Sequence, residues 1–151
     1  LDVAKRNIAD YGLEHRLTLL TSDLYGAIGD KKFDLIIANP PYVTSAAVSA
    51  FPPEYQAEPV IAHLGGQDGL DLVKRIIDQA QRFLMPLGSI VVEVGEAREA
   101  LEGAYPKLPF LWLDTEGSEG EVFALTADDL EAASHAKQAR KPVRAAPPGI
   151  D

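Results

Sequence analysis

Asn39-Pro40-Pro41-Tyr42 follows directly on the apolar run Phe33-Asp34-Leu35-Ile36-Ile37-Ala38, and these residue types in this order suit the gripping of a planar nitrogen. An amide nitrogen is a poor nucleophile because its lone pair is delocalised into the carbonyl. It attacks only when geometry and hydrogen bonds favour the pyramidal form. The side-chain oxygen of Asn39 and the main-chain carbonyl of Pro40 can each accept one N–H, aiming the remaining lobe at an electrophilic carbon in line. The same two oxygens would stabilise positive charge developing on the nitrogen, an oxyanion hole with the signs reversed. Pro40 and Pro41 fix φ and bring no competing donor, so the carbonyl direction is rigid, and the Tyr42 ring can cover the amide plane. Asn and Pro are equally the residues of a turn that merely ends a strand. Position weighs for chemistry, because ligands bind outside the carboxyl ends of the strands in open α/β sheets.

The elements that must position this loop are legible as periodicity. Phe33–Ala38 has the apolar strength of a strand buried on both faces, and two prolines forbid its continuation. Upstream, Leu1, Ala4, Ile8 and Tyr11 recur at helical spacing with Gly12 as the stop. Residues 17–20 predict a short strand closed by Thr21-Ser22-Asp23. Downstream, a loop rich in Pro and small residues reaches Gly69 and is long enough to be functional. A helix follows, with Leu70, Val73, Ile76, Ile77, Ala80, Phe83 and Leu84 as its apolar stripe, Asp68 as N-cap, and Pro86 and Gly88 at its end. Residues 89–94 predict a strand and 96–105 a helix. Residues 110–114 and 121–126 predict two more strands, joined by a link too short for a crossover helix and therefore antiparallel. A short helix from near Asp128 leads into a tail whose Pro, Ala and basic content predicts disorder. The expectation is an α/β fold on a mostly parallel sheet ending in an antiparallel hairpin. Its folded part spans residues 1–135 and its tail 136–151.

Composition narrows the function classes. A chain of 151 residues, 46% hydrophobic, can bury one sizeable core. Its apolar runs are far shorter than the roughly 20 residues of a membrane-spanning helix. There is no cysteine and no export-type leader pattern, so a cytoplasmic location without disulfides is expected. Fourteen basic against 23 acidic residues leave a net charge of −9, the wrong sign for a surface that neutralises many phosphates, and nucleic acid is disfavoured as partner. The tail differs, with Lys137, Arg140, Lys141 and Arg144 against Glu131 and Asp151. His15, His63 and His135 are scattered and offer no zinc-ligand spacing, so no metal is expected. Gly65-Gly66-Gln67-Asp68-Gly69 lacks the Lys-Ser/Thr of a phosphate loop and follows no predicted strand, so it is a turn leading into the helix. Glu58 is either near a substrate amide or, more commonly for such residues, a solvated loop carboxylate. Trp112 is expected in the core.

Phe33 to Tyr42 resembles the strand and signature of the amino-methyltransferases that act on glutamine side chains or on the exocyclic amine of adenine. Glu54-Tyr55-Gln56-Ala57-Glu58-Pro59, Gly65-Gly66-Gln67-Asp68-Gly69-Leu70-Asp71, Val92-Glu93-Val94-Gly95 and Tyr105-Pro106-Lys107-Leu108-Pro109-Phe110 resemble the protein glutamine methyltransferases. They are most similar to the branch that modifies a glutamine of large-subunit ribosomal protein L-three; a sister branch modifies the Gly-Gly-Gln loop of peptide-chain release factors. The resemblance spans roughly residues 1 to 130. It implies a class I, Rossmann-like methyltransferase fold with strand order 3-2-1-4-5-7-6, S-adenosyl-L-methionine as methyl donor, and a protein substrate. It makes Asn39, Pro40 and Tyr42 catalytic, with Pro41 beside them against the substrate. Asp23 takes the position that accepts the cofactor's adenine amine, with Leu24 beside the ring and Asn39 touching both cofactor and substrate. By itself Asp23 is equally an ordinary turn residue.

The family's Gly-rich turn after its first strand and acid after its second do not occur in this chain, and the opening helix corresponds to the one after that second strand. The resemblance therefore implies the carboxyl-terminal part of a catalytic domain, with the first two strands missing. Such a chain alone is expected to bind cofactor weakly or not at all and to be inactive. The alternatives are release-factor glutamine methylation, adenine methylation in nucleic acid, or a truncated fragment without activity.

Overall fold

The computed structural model describes residues 1–42, 68–115 and 118–138. The predicted Glu58 role, the Gly65-Gly66-Gln67 turn and the tail from residue 139 lie outside them. The chain divides into two compact units, Leu1–Lys31 and Lys32–Asp151.

In the first unit, α1 (Asp2–Asp10) forms where helical spacing predicts it and ends at the predicted glycine. Gly12 sits at φ +63, its N–H donates to the Ala9 carbonyl at 3.1 Å, and the Leu13 N–H donates to Ile8 at 2.9 Å. These two bonds satisfy carbonyls the helix leaves open, the Schellman arrangement that favours glycine. The strand expected over residues 17–20 does not form. The Leu17 N–H donates to the Leu13 carbonyl at 3.0 Å, which winds the start of that segment into a helical turn. Leu17 and Leu20 are exposed. An apolar run becomes a strand only by pairing, and no described strand pairs here.

The second unit is a four-stranded sheet made of β1 (Phe33–Ala38), β2 (Leu84–Glu93), β3 (Leu111–Thr115) and β4 (Ser118–Thr126), in the order β1-β2-β4-β3. β1 and β2 are parallel, whereas β2 with β4 and β3 with β4 are antiparallel. Among the described strands one pairing of three is parallel, so the sheet is mixed rather than mostly parallel as expected, because β4 inserts antiparallel between β2 and β3; the order is consistent with the 4-5-7-6 end of the strand order implied by the resemblance. β2 starts five residues earlier than expected. Phe33 is registered with Leu84 but Leu35 with Ser89, so the chain from Met85 to Gly88 bulges out of the ladder and accommodates Pro86. Gly88 is required there, since a Cβ would lie 2.9 Å from the Met85 carbonyl and 3.0 Å from that of Phe33.

The helix α2 (Asp71–Phe83) buries Val73, Ile76, Ile77, Ala80 and Phe83, most of the predicted stripe. Its N-cap is Leu70, not Asp68. The Asp68 carboxylate accepts the Leu70 N–H at 3.0 Å and pairs with the Lys74 ammonium, bracing the turn from two residues ahead of the N-cap. Beyond β2, a 3-10 turn (Gly95–Ala97) leads into α3 (Arg98–Ala104). The last helix, α4 (Ala127–Gln138), starts with a reciprocal cap: the Asp129 N–H donates to Thr126 Oγ1 at 3.2 Å and the Thr126 N–H to Asp129 Oδ2 at 2.9 Å. α2 and α4 contact each other and β2. Ile90, Val92, Phe123 and Leu125 are buried with Leu130 of α4, and register places Ile90 beside Leu125 and Val92 beside Phe123 on one face. Trp112 is half-buried rather than core: it meets Phe123 edge-on at 5.7 Å, carries the Arg98 guanidinium at 4.7 Å, and donates its indole N–H to Glu102 at 2.7 Å.

β1 differs most from expectation. Every side chain in it is exposed or half-buried, with Leu35 50% and Ile37 73% exposed. It pairs with β2 alone among the described strands. An apolar run of this strength encodes burial that the described residues do not supply to its side chains.

Candidate functional site

The parallel pair β1 and β2 builds the site. Their register runs through Ala38 beside Val92, so Asn39 and Glu93 each lie one residue beyond that pair, at the carboxyl ends of two neighbouring parallel strands. Pro40 is buried and stops the ladder, because it has no N–H to give. Asn39 is exposed, so its carboxamide faces solvent at the sheet's carboxyl end. Pro41 and Tyr42 are half-buried.

Tyr42 is held from two sides. Its hydroxyl donates to Glu93 Oε1 at 3.2 Å. Its ring lies against Gly95, where an added Cβ would sit 2.6 Å from Cε2 and 2.9 Å from Cδ2. The phenol's pKa is raised above its ordinary value of 10.0, first by burial and then by the hydrogen bond to Glu93 and the charges of Glu93 and Glu121. Glu121 is brought alongside by β4, whose Glu121 carbonyl accepts the Val94 N–H at 2.8 Å. At neutral pH Tyr42 is therefore a neutral, donating phenol beside carboxylates.

The second group of predicted residues lies in the other unit. Asp23 is exposed in a turn, its carbonyl accepting the Gly26 N–H at 3.0 Å, while Ser22 Oγ accepts the Ala27 N–H at 2.8 Å. Leu24 is half-buried at φ +48, a left-handed conformation that costs a non-glycine residue on the order of 1 kcal/mol or more. The Asp23 carboxylate fits an amine donor chemically, having acceptor oxygens and an exposed position.

Glu93, Gly95 and Glu121 carry no role in the sequence reading, although Val92-Glu93-Val94-Gly95 stands among the family-like stretches. The signal that was present is Glu93 itself, one carboxylate inside the apolar run from Ile90 to Val94. What it touches depends on a residue 51 positions away, which no local pattern records. A cleft lined by Ile77, Asp78, Tyr105, Leu130 and Ser134 contains none of the candidate residues.

Comparison with known proteins finds similar chains. Residues 1–51 match the family model described as the methyltransferase small domain. The chain is 51% identical over 131 residues to a protein of Bradyrhizobium diazoefficiens named ribosomal protein uL3 glutamine methyltransferase, covering 87% of this chain and 41% of that one. Proteins of the same name from Neisseria gonorrhoeae and Francisella tularensis are 48% identical over 130 residues and 43% identical over 131. Each comparison covers 86% of this chain, and 43% and 41% of those relatives. The chain spans about two-fifths of the length of the curated relatives it matches.

Proposed function

We propose that this chain, similar along 87% of its length to a uL3 glutamine methyltransferase, carries the substrate-amide end of such an enzyme. The reaction is S-adenosyl-L-methionine-dependent methylation of a glutamine side-chain nitrogen in large-subunit ribosomal protein L-three. The observation that carries this proposal is the 51% identity to a relative of that name. It is supported by the position of Asn39-Pro40-Pro41-Tyr42 at the carboxyl end of β1.

Bound S-adenosyl-L-methionine supplies an electrophilic methyl group on a sulfonium. Asp23 and Leu24 would hold the adenine end, the carboxylate accepting the amine, and Asn39 would meet cofactor and substrate together. For the substrate, Asn39 Oδ1 and the Pro40 carbonyl accept the two amide protons. That arrangement removes the need to desolvate and reorient the amide during reaction and leaves its lone pair directed away from both acceptors. Positive charge growing on nitrogen is then met by two oxygens already in place, which is where such a site gains most over water. Tyr42 covers the amide plane, and Pro40 and Pro41 keep the acceptors from relaxing.

In the class I order, β1 has a neighbour on the side away from β2. The open edge of β1 and the exposed Leu35 and Ile37 support that placement. The complete protein is tested with purified uL3 and cofactor, followed by mass spectrometry of the peptides. One methyl group added to a single uL3 glutamine is expected. Methylation of a release factor in its place would move the substrate to the sister branch, and methylation of neither overturns the proposal.

A further inference from the structure

Tyr42 closes the Asn-Pro-Pro-Tyr loop, and a ring that is to cover an amide must have its plane set by something other than the loop. Two residues at the end of β2 meet it. Glu93 accepts its hydroxyl at 3.2 Å, a long bond for an O–H donor to a carboxylate, where 2.5–2.7 Å would be usual. Gly95 is the tighter constraint. A side chain there would place Cβ 2.6, 2.9 and 3.2 Å from three ring carbons, below or at the limit of real contacts, and its φ of +53 is strained for any L-residue. Gly95 is buried and follows Val94, whose N–H is tied to the Glu121 carbonyl, so the seat is anchored to β4 as well as β2. The ring is therefore pinned at its face by backbone and at its tip by a charged acceptor.

We propose that Glu93 and Gly95 are positioning residues that fix the plane of the Tyr42 ring over the substrate amide. What the ring covers rests on the methyltransferase function proposed above; the clamp itself rests on the geometry of this chain. Glu93 acts through Tyr42 and touches neither substrate nor cofactor in this scheme. Burial first, and then the hydrogen bond to Glu93 and the charges of Glu93 and Glu121, raise the phenol's pKa above its ordinary value, so the hydroxyl that meets Glu93 is a donor at neutral pH.

Two measurements test the clamp. In the 151-residue chain with 13C-labelled tyrosine rings, the Tyr42 signal is assigned by its loss in Tyr42→Phe and titrated with pH. Glu93→Gln should lower its ionisation midpoint toward the ordinary phenol value, with burial and Glu121 retaining part of the elevation. An unmoved midpoint overturns the contact. In the complete protein with uL3, Glu93→Ala should lower kcat about tenfold or more, as for a reacting group no longer held in its attacking geometry. KM for the cofactor should not change, and Glu93→Gln, which keeps an acceptor, should recover most of the rate. Gly95→Ala should lower kcat at least as far as Glu93→Ala. Tyr42→Phe and Glu93→Ala should be non-additive when combined, since both release the same bond. Full additivity, or kcat untouched by Glu93→Ala in a folded and active enzyme, overturns the positioning role alone. A wild-type protein that methylates no glutamine overturns the assigned function, whatever the ring signal does.

Discussion

Asn39 is the residue on which the proposed chemistry depends, and its setting suits that role. It stands past the end of a strand, exposed, with Pro40 buried behind it, so its carboxamide can turn to a ligand while its backbone cannot drift. Asn39→Ala in the complete protein should cost kcat roughly a hundredfold or more, the range for losing a positioned polar group at the reacting atom. Steady-state kinetics with uL3 measure this, and unchanged turnover would take Asn39 out of the mechanism. The place of the tetrapeptide was legible because two prolines directly after an apolar run must end a strand; the role proposed for it rests on that setting, since the four residue types alone also make an ordinary turn. Glu93 was less legible because a lone acid near a strand end is usually solvated.

The elements divide according to how local their causes are. The periodicity of α2 and the glycine stop of α1 depend on near neighbours in the chain, and both formed where expected. The β3–β4 hairpin followed from link length alone. Boundaries moved where a tertiary contact intervened. Pro86 and Gly88 were expected to end the helix, yet the helix ends at Phe83 and they lie in a bulge of β2 against β1. The core these elements share should respond to truncation by burial rather than by hydrophobicity. Phe123→Ala, at a fully buried site on β4, should destabilise by about 3–5 kcal/mol. Leu111→Ala, 62% exposed on β3, should stay within about 0.5 kcal/mol. Urea denaturation of the two variants compares them directly, and equal losses would refute the assigned core.

The turn into α2 gives a pH dependence of definite sign. The Lys74 ammonium and the Leu70 N–H hold the Asp68 carboxyl below its usual value. A carboxyl depressed in the folded state contributes stability above its unfolded pKa, and that contribution fades as pH falls through the lower folded value. Asp68→Asn should therefore be less stable than wild type at neutral pH, with the difference shrinking toward acid pH. A pH series of thermal melts reads this, and a constant offset would contradict it. The effect is small because the pair is exposed and screened.

At the scale of the whole molecule, β1 dominates. It presents apolar side chains and, among the described strands, pairs along one edge alone, an arrangement that recruits another strand. The 151-residue chain should self-associate as its concentration rises, and Ile37→Lys, at a side chain 73% exposed, should suppress this without unfolding the helices of the second unit. Light scattering and circular dichroism together provide the check; a wild-type chain monomeric at high concentration would show that the edge is covered. A strand as apolar as Phe33–Ala38 was read as buried on both faces, and among the described residues its side chains are exposed or half-buried.

The sequence by itself determined that Asn39-Pro40-Pro41-Tyr42 closes an apolar strand, the identity of most elements and the antiparallel close of the sheet. Each of these depends on spacing between residues that are near in the chain. Only the tertiary structure decided that residues 17–20 pair with no described strand, that β1 pairs with β2 alone among the described strands, and that Glu93 meets Tyr42 across 51 residues of chain. Strand pairing and cross-strand contact join distant positions, so they are properties of which surfaces meet, and a periodic pattern states only which surfaces are available to meet.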